Sequence, residues 1–293
     1  MSSVLTAPSA TAEVAAPFSS NEPSASFAPN RPAATAANTI CALSPGGTGV
    51  FRYNGSGWTQ IGGPALRLYG GGYGLFATTP NGSAIYGYLG TPNNWLHVGG
   101  PGSTWVVTGG SLYGLTPGRD GVYRYNGNGT NWTQVGGPAN WLYGGSYGLF
   151  ATTPNGSAIY GYLGTPNNWM HVGGPGTTWA VTSESVYGLT PGRDGVYRYN
   201  GNGTNWTQVG GPANWLYGGN FGLFATTPNG SAIYGYLGTP NNWTVVGGAG
   251  YEWAVTDGGI YGLTPNRQGV YRWVSGTSWT QVGGPADQIV PCP

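Results

Sequence analysis

The chain of 293 residues carries very little charge and no lysine. Charged residues make up 6% of it, whereas an average soluble domain has roughly 25%. All nine basic residues are arginine, and the formal net charge is +1. Nucleic acids and anionic membranes are bound through clustered Lys and Arg, so this composition argues against both partners.

The sequence also lacks long apolar runs and long stretches that could form helices. No run of about 20 apolar residues exists, so we expect no insertion into a membrane. The 58 Gly and 23 Pro exclude a long helical protein. This much Gly and Pro usually indicates disorder, but 13 Trp, 21 Tyr and 7 Phe supply apolar surface that disordered chains lack. The combination predicts many short strands joined by tight turns.

The first 38 residues differ in composition from the rest of the chain. They consist mostly of Ala, Ser, Pro and Thr without periodicity, which predicts a disordered leader or linker. They contain no apolar run behind a positive end, so they do not resemble a standard secretory signal. We therefore expect a single folded domain over residues 39–293.

A 74-residue repeat dominates this domain. The segment GVYRYNGNGTNWTQVGGPANWLYGG begins at Gly121 and recurs letter for letter at Gly195, and LFATTPNGSAIYGYLGTPNNW begins at Leu75, Leu149 and Leu223. Each repeat holds two diverged units, and each unit is marked by a Trp followed by a Gly-Gly pair. These tryptophans are 36 or 37 residues apart and define seven units: Trp58, Trp95, Trp132, Trp169, Trp206, Trp243 and Trp279.

Each unit has the pattern of four short strands. The unit that starts at Asn140 divides into NWLYGG, YGLFATTP, SAIYGYLG and NNWMHVGG, which are rich in strand-forming residues and end at turn residues. Asn155-Gly156 is a strong hairpin signal. Four strands repeated seven times predict an all-β, seven-bladed β-propeller of four-stranded blades. A solenoid is the competing repeat architecture, but it usually needs capping repeats.

The two ends of the domain together supply one blade. Residues 40–51 align with residues 112–123, so the chain enters at the second strand of a blade, and residues 286–290 align with the first strand at 139–143. The only two cysteines, Cys41 and Cys292, fall at this seam. The alignment places them within disulfide reach, and a disulfide would imply an oxidising compartment and a secreted protein. Two buried free thiols in a cytoplasmic protein are the alternative.

With the strands placed, the units resemble the tectonin and tachylectin-2 families of propeller lectins. The similarity lies in the order of four motifs, NWLYGG, SVYGLTP, AIYGYLG and N-W-x-x-V-G-G, and it covers residues from about 39 to 291. The resemblance implies carbohydrate binding at several equivalent sites around the ring, without catalysis. Tachylectin-2 has fewer and longer blades, so its site residues cannot be transferred to this chain by position.

Groups that could support catalysis or hold a metal are scarce. Asp120 and Asp194 occupy equivalent G-R-D-G turns, where we expect them to bond within the turn. His97 and His171 are equivalent to each other, and Val245 replaces them in the third copy. A single His in each of two distant blades does not make a metal site. We therefore expect no enzymatic activity, no metal and no cofactor.

Sugars are recognised by an aromatic face with polar groups beside it, so the tryptophans are the candidate binding residues. The seven that occur in every unit are expected to pack between blades. A second class varies with blade type, and positions that vary between repeated units more often face a ligand or solvent than the core. The predicted ligand-binding residues are Trp105, Trp141, Trp179, Trp215, Trp253, Asn140, Asn214, Tyr143 and Tyr217. The alternative is that these tryptophans fill the widening space between blades.

The sequence thus predicts a monomeric lectin that binds glycans at several weak sites acting multivalently. Pockets between neighbouring blades would form two classes, because the blades alternate in type. At the seam the pocket would be degenerate, since Gln288 replaces the Trp found at 141 and 215. The alternative is a non-enzymatic protein-interaction scaffold, which would need an apolar or charged patch. A glycoside-processing enzyme is disfavoured by the scarcity of acids.

Overall fold

A computed structural model describes residues 39–293 as seven four-stranded antiparallel sheets. The predicted seven-bladed β-propeller is confirmed, and the predicted leader at residues 1–38 lies outside the described residues. Blade 1 is formed by β28, β1, β2 and β3, and blades 2 to 7 each use four consecutive strands. A short 3-10 turn, Pro45–Gly47, follows β1. The strands are β1 (Thr39–Leu43), β2 (Val50–Tyr53), β3 (Trp58–Gly62), β4 (Arg67–Gly71), β5 (Gly74–Thr78), β6 (Ile85–Tyr88), β7 (Trp95–Gly99), β8 (Thr104–Val107), β9 (Leu112–Leu115), β10 (Val122–Tyr125), β11 (Trp132–Gly136), β12 (Trp141–Gly144), β13 (Leu149–Thr152), β14 (Ile159–Tyr162), β15 (Trp169–Gly173), β16 (Thr178–Val181), β17 (Val186–Leu189), β18 (Val196–Tyr199), β19 (Trp206–Gly210), β20 (Leu216–Gly219), β21 (Gly222–Thr226), β22 (Ala232–Tyr236), β23 (Trp243–Gly248), β24 (Glu252–Val255), β25 (Ile260–Leu263), β26 (Val270–Ser275), β27 (Ser278–Gly283) and β28 (Gln288–Cys292).

The first strand of every blade lies innermost, since the first strands of neighbouring blades contact one another around the ring. The fourth strand is the outer edge. Loops between blades and loops between second and third strands meet on one side, here called the upper face. The turns that join first to second strands and third to fourth strands meet on the lower face. In the described part of the chain, no helix has the length and apolarity needed to cross a membrane.

The hydrophobic core lies between the blades. Seven apolar clusters occur, and each joins the facing sides of two adjacent sheets. Between blades 3 and 4, for example, Tyr113 and Leu115 pack with Leu142 and Trp169. Successive side chains of a strand point to opposite faces of the sheet, so each blade contributes to two core layers, one on each of its sides.

The seven tryptophans that recur in every unit link each blade to the one before it. Their indole Nε1 atoms donate hydrogen bonds of 2.6–2.8 Å to a backbone carbonyl on the outer strand of the preceding blade. Trp58 makes this bond to Val282 and so joins blade 1 to blade 7. The expectation that this class packs between blades is confirmed at all seven boundaries.

The glycine at or next to the end of each outer strand is required by the same contact. A Cβ atom at Gly136 would lie 2.9 Å from the Nε1 atom of Trp169, and the six equivalent glycines give distances of 2.8–3.0 Å. Such distances are shorter than a carbon side chain tolerates. The Trp and Gly-Gly pattern of the sequence is therefore one packing motif shared between two neighbouring blades.

The ring is closed by a disulfide and by polar contacts at blade 1. Cys41 and Cys292 are bonded, with their Cα atoms 5.4 Å apart, which confirms the predicted pairing. The side-chain amide of Gln288 accepts from the Leu68 N–H at 2.8 Å and donates to the Leu68 carbonyl at 3.0 Å. The residue that replaces Trp at the seam thus joins blade 1 to blade 2.

Glu252 connects blade 7 to β28, the strand of blade 1 that carries Gln288. Its Oε2 atom accepts the backbone N–H of Ile289 at 3.0 Å. Burial raises the pKa of this carboxyl from 4.5 to about 6, although the Ile289 bond and the charges of Arg67 and Arg267 act in the opposite direction. Glu252 is therefore the acid at the seam that releases its proton less readily in the folded than in the unfolded chain.

This shift predicts that the protein becomes more stable as the pH falls from 7 to about 4.5. The folded chain binds the proton more readily than the unfolded chain, so protonation of Glu252 favours folding by at most about 2 kcal/mol. Urea denaturation at a series of pH values measures the effect. In Glu252→Gln, which keeps an oxygen for the Ile289 bond, the gain over this pH range should be smaller by that amount. An identical pH dependence in both proteins would contradict the assignment.

Candidate functional site

Three of the predicted binding tryptophans lie in the core. Trp105, Trp179 and Trp253 are 7%, 7% and 8% exposed, in the innermost strands of blades 3, 5 and 7. Each indole packs over glycines, and a Cβ atom at Gly102 would lie 2.6 Å from Trp105. Side chains so enclosed offer no free face for a sugar, so the structure favours the alternative that this group fills the space between blades.

Tyr143 and Tyr217 belong to the same packing. Their rings lie 5.1 Å, between centroids, from Trp179 and Trp253 of the next blade. Burial raises the pKa of Tyr143 to about 12, and burial followed by the charge of Glu252 raises that of Tyr217 further. The structure therefore does not bring these tyrosines together with the exposed tryptophans at a common surface site.

Trp141 and Trp215, by contrast, lie on the upper face and are 37% and 43% exposed. Asn140 precedes Trp141, and its Oδ1 atom accepts a 2.7 Å hydrogen bond from Arg119. The Arg119 guanidinium carbon lies 5.8 Å from the centroid of the Trp141 ring. The equivalent Arg193 donates to Asn214 at 2.5 Å. Neither arginine was among the binding residues predicted from the sequence.

The arginine turn is positioned by the neighbouring blade. Arg119 has a φ of +59°, a left-handed conformation that non-glycine residues adopt rarely. Its backbone carbonyl accepts the Ala139 N–H at 3.1 Å, and the Arg193 carbonyl accepts that of Ala213 in the same way. This docking holds one arginine beside the Asn-Trp pair of the next blade, so each exposed Trp lies in a three-residue group drawn from two blades.

The upper face also carries shallow clefts between blades. Clefts of about 170 Å³ and 200 Å³ lie at the boundaries between blades 1 and 2 and between blades 5 and 6. Their linings consist of the same ten residue types at equivalent positions. The first is lined by Val50, Gly62, Gly63, Pro64, Ala65, Ala77, Thr78, Thr79, Tyr86 and Trp95, and the second by Val196, Gly210, Gly211, Pro212, Ala213, Ala225, Thr226, Thr227, Tyr234 and Trp243.

A third cleft represents the other type of blade boundary. It measures about 210 Å³, lies between blades 4 and 5, and is lined by a Gly-Gly-Pro loop together with Tyr197 and Trp206. Pockets therefore occur at both types of blade boundary, as the alternating repeat predicts. We call these three pockets the upper-face clefts.

The tryptophans in these clefts are members of the class assigned to packing. Trp95, Trp206 and Trp243 hold neighbouring blades with the indole nitrogen and also line a cleft. The cleft tyrosines, such as Tyr86, were not singled out from the sequence at all. Their signal was nonetheless present, because a Tyr precedes the recurring Trp by nine residues in the five units marked by Trp95, Trp132, Trp169, Trp206 and Trp243.

The cleft between blades 5 and 6 is continuous with an exposed tryptophan. Trp215 follows the cleft residue Ala213 by two positions, and its backbone N–H donates to the hydroxyl of the cleft residue Thr226 at 3.1 Å. In the cleft between blades 1 and 2, Arg67 takes the place of Trp215. Clefts with identical walls therefore have different residues at their inner rim.

Acids and histidines fill structural positions in the turns and strands. The Thr116 hydroxyl donates to the Asp120 carboxylate and accepts the Asp120 backbone N–H at 3.0 Å, and Thr190 and Asp194 repeat this arrangement. The His97 ring lies 5.1 Å from that of Tyr86. Within residues 39–293, no group of three His, Cys, Asp or Glu is arranged to hold a metal.

Comparison with known proteins identifies the fold. No protein-family model matches this sequence, and no curated protein matches it. Among solved structures, the CRINKLY WD40 ectodomain of the Arabidopsis thaliana receptor kinase ACR4 is similar, with a TM-score of 0.56 and 16% identity over 85% of this chain and 94% of that one. Virginiamycin B lyase from Staphylococcus aureus has a TM-score of 0.52 and 11% identity over 85% and 88%. Both comparisons show a shared β-propeller and nothing finer.

Proposed function

We propose that this protein is a non-enzymatic lectin of the tectonin-like type, which binds glycans at several equivalent upper-face clefts. The observation that supports this most is the repetition of one cleft, with ten identical lining residues, at two blade boundaries. A polymeric or clustered glycan presents the same sugar many times. Identical sites on one face of a ring can engage such a ligand together, so that weak single sites give strong binding.

The chemistry of a cleft suits one sugar ring. Tyr86 and Trp95 offer aromatic surface to the C–H bonds of a sugar, and Thr78, Thr79 and the Gly-Gly-Pro loop offer hydroxyl and backbone groups to its own hydroxyls. Volumes of about 170–210 Å³ are below the usual size of sites for drug-sized molecules. We therefore expect a terminal monosaccharide to be recognised, with Trp215 extending the contact at one cleft.

Secretion fits the proposed function. Disulfides persist in oxidising compartments, and the one between Cys41 and Cys292 closes the ring. Cell-surface and extracellular glycans are present in the same environment. The alternative function is a protein-interaction scaffold, which would bind a partner through one continuous surface and would not respond to soluble sugars.

A glycan array followed by titration calorimetry tests the lectin proposal. We expect the array to select one terminal sugar, and the calorimetry to give more than one site and fewer than seven. The double variant Tyr86→Ala/Tyr234→Ala should lose about two sites, because loss of an aromatic wall weakens each site about 10-fold. A single site, or no glycan bound at all, would overturn the proposal.

A second double variant separates the clefts from the exposed tryptophans. Trp141→Ala/Trp215→Ala leaves the walls of the clefts intact, so we expect it to weaken binding without removing sites. If this variant instead abolishes binding while the tyrosine variant binds normally, the sites lie on the exposed tryptophans. Circular dichroism of both variants should show an unchanged fold, because Trp141 and Trp215 are exposed and Tyr86 and Tyr234 are only half-buried.

A further inference from the structure

A cavity of about 730 Å³ opens on the lower face between blades 3 and 4. Turns of three neighbouring blades contribute Tyr73, Ser111 and Ser146 to its rim, and Arg124 and Tyr162 also line it. Its volume lies in the range of ordinary small-molecule sites. We call it the lower-face cavity; it shares no lining residue with the upper-face clefts.

Arg124 is held in this cavity by the register of blade 3. It pairs with Tyr113 on one neighbouring strand and with Thr133 on the other, and directly paired residues of an antiparallel sheet project to the same side. The side chain is only partly exposed. Among residues 39–293, the one ion pair joins Arg267 to Asp287, so no carboxylate of the described chain neutralises Arg124.

The tyrosines around Arg124 can donate hydrogen bonds. Tyr113 and Tyr162 meet edge to face with their centroids 6.0 Å apart. Burial, followed by the neighbouring Tyr162, raises the pKa of Tyr113 to about 12, so its hydroxyl stays protonated. The Tyr162 hydroxyl is buried without a hydrogen-bond partner. An unsatisfied buried hydroxyl is unfavourable, and a ligand oxygen that reached it would relieve that cost.

A second copy of this cavity differs in charge. Between blades 5 and 6, Tyr187, Arg198 and Tyr236 take the places of Tyr113, Arg124 and Tyr162, and the volume is about 310 Å³. Glu184 lines this copy, where the lower-face cavity has Gly110. The second copy thus contains a carboxylate of its own, and only the first offers an arginine without an acid in the same cavity.

We propose that the lower-face cavity binds a sugar that carries a carboxylate, of the uronic acid class, with the carboxylate on Arg124. A guanidinium forms two parallel hydrogen bonds with a carboxylate and is suited to recognising it. Asn126, Thr133 and Ser146 line the same cavity and can bond the sugar hydroxyls. The sugar part of this inference rests on the proposed function, and the carboxylate part rests on Arg124.

Titration with methyl β-glucuronide and with the neutral methyl β-glucoside tests this inference. We expect the glucuronide to bind at one site, with an affinity that falls as the salt concentration is raised. The glucoside should bind that site at least 10-fold more weakly. Arg124→Gln should lower the affinity for the glucuronide at least 10-fold. Absence of glucuronide binding by the unaltered protein, or equal affinity in Arg124→Gln, would overturn the proposal.

Two further variants serve as a matched pair. Gly110→Glu gives the lower-face cavity the acid found in its second copy and should also lower the affinity for the glucuronide at least 10-fold. Because Gly110 lies in a surface turn, this variant tests the proposal even if Arg124→Gln fails to fold. Arg198→Gln alters only the second copy and should leave the affinity unchanged. If only Arg198→Gln lost glucuronide binding, the site would lie in the second copy, and this result would contradict the assignment to the lower-face cavity.

The probes also separate this inference from the lectin proposal. Benzoate that binds as tightly as the glucuronide would show recognition of a carboxylate without its sugar, and would overturn the sugar part. Glucuronide binding that depends on Arg124, in a protein that binds no neutral glycan on an array, would support the lower-face cavity and contradict the function proposed for the upper-face clefts.

Discussion

Loss of the disulfide is expected to destabilise the ring by up to about 5 kcal/mol. The bond between Cys41 and Cys292 closes a loop with a sequence separation of 251, and the entropy lost by the unfolded chain grows with the length of such a loop. Measured values often fall below this figure. Urea denaturation of Cys41→Ala/Cys292→Ala beside the unaltered protein gives the difference.

The reduced wild-type protein controls for the loss of side-chain volume when the two cysteines are replaced by alanine. If the disulfide itself stabilises the ring, dithiothreitol should lower the urea midpoint of the wild type and leave that of the double variant unchanged. Alkylation in denaturant without reduction, where both cysteines are accessible, should modify no thiol in intact-mass analysis. Two alkylated thiols would contradict the bond directly.

Trp169→Ala is expected to lower the free energy of unfolding by about 3–5 kcal/mol, the range for a large aromatic residue removed from a core. Trp169 is 8% exposed and donates to the Val135 carbonyl at 2.7 Å. The variant leaves a cavity between blades 3 and 4 and removes a contact that holds β15, the outer strand of blade 4, against blade 3. Denaturation followed by circular dichroism measures the loss.

Trp141→Ala is the matched control, since it removes the same type of side chain from β12, the innermost strand of the same blade. Trp141 is 37% exposed, and the Arg119 guanidinium of the preceding blade lies 5.8 Å from the centroid of its ring. We expect a loss of about 0.5 kcal/mol or less, as at other surface positions. Equal destabilisation by the two variants would show that the bond between blades contributes little.

The fold was predictable because its repeat is visible in single residues. The spacing of Trp58 and its six equivalents gives the number of blades, and the alignment of residues 40–51 and 286–290 gives the shared blade. The disulfide followed from that alignment, since Cys41 and Cys292 fall on adjacent strands of one sheet. Each of these inferences needed only the order of motifs along the chain.

The proposed binding surface was harder to predict, because one tryptophan can both hold two blades together and line a cleft. Trp95 donates its indole N–H to the preceding blade and also forms the wall of a cleft, so a constant position is not purely structural. Trp105 varies between blade types and is nevertheless buried, because the glycines it covers vary with it. The isolation of Arg124 from any acid depends on tertiary packing and has no signature in the sequence.

The shared blade fixes where the described chain enters and leaves the ring. Thr39 pairs with Cys292 at the lower-face end of blade 1, so both ends point away from the upper-face clefts. The sequence contains no lysine, so amine-reactive reagents have no side-chain amine to modify within residues 39–293. Coupling to a sensor or bead through amines should therefore leave the side chains of the upper-face clefts and of the lower-face cavity chemically unchanged.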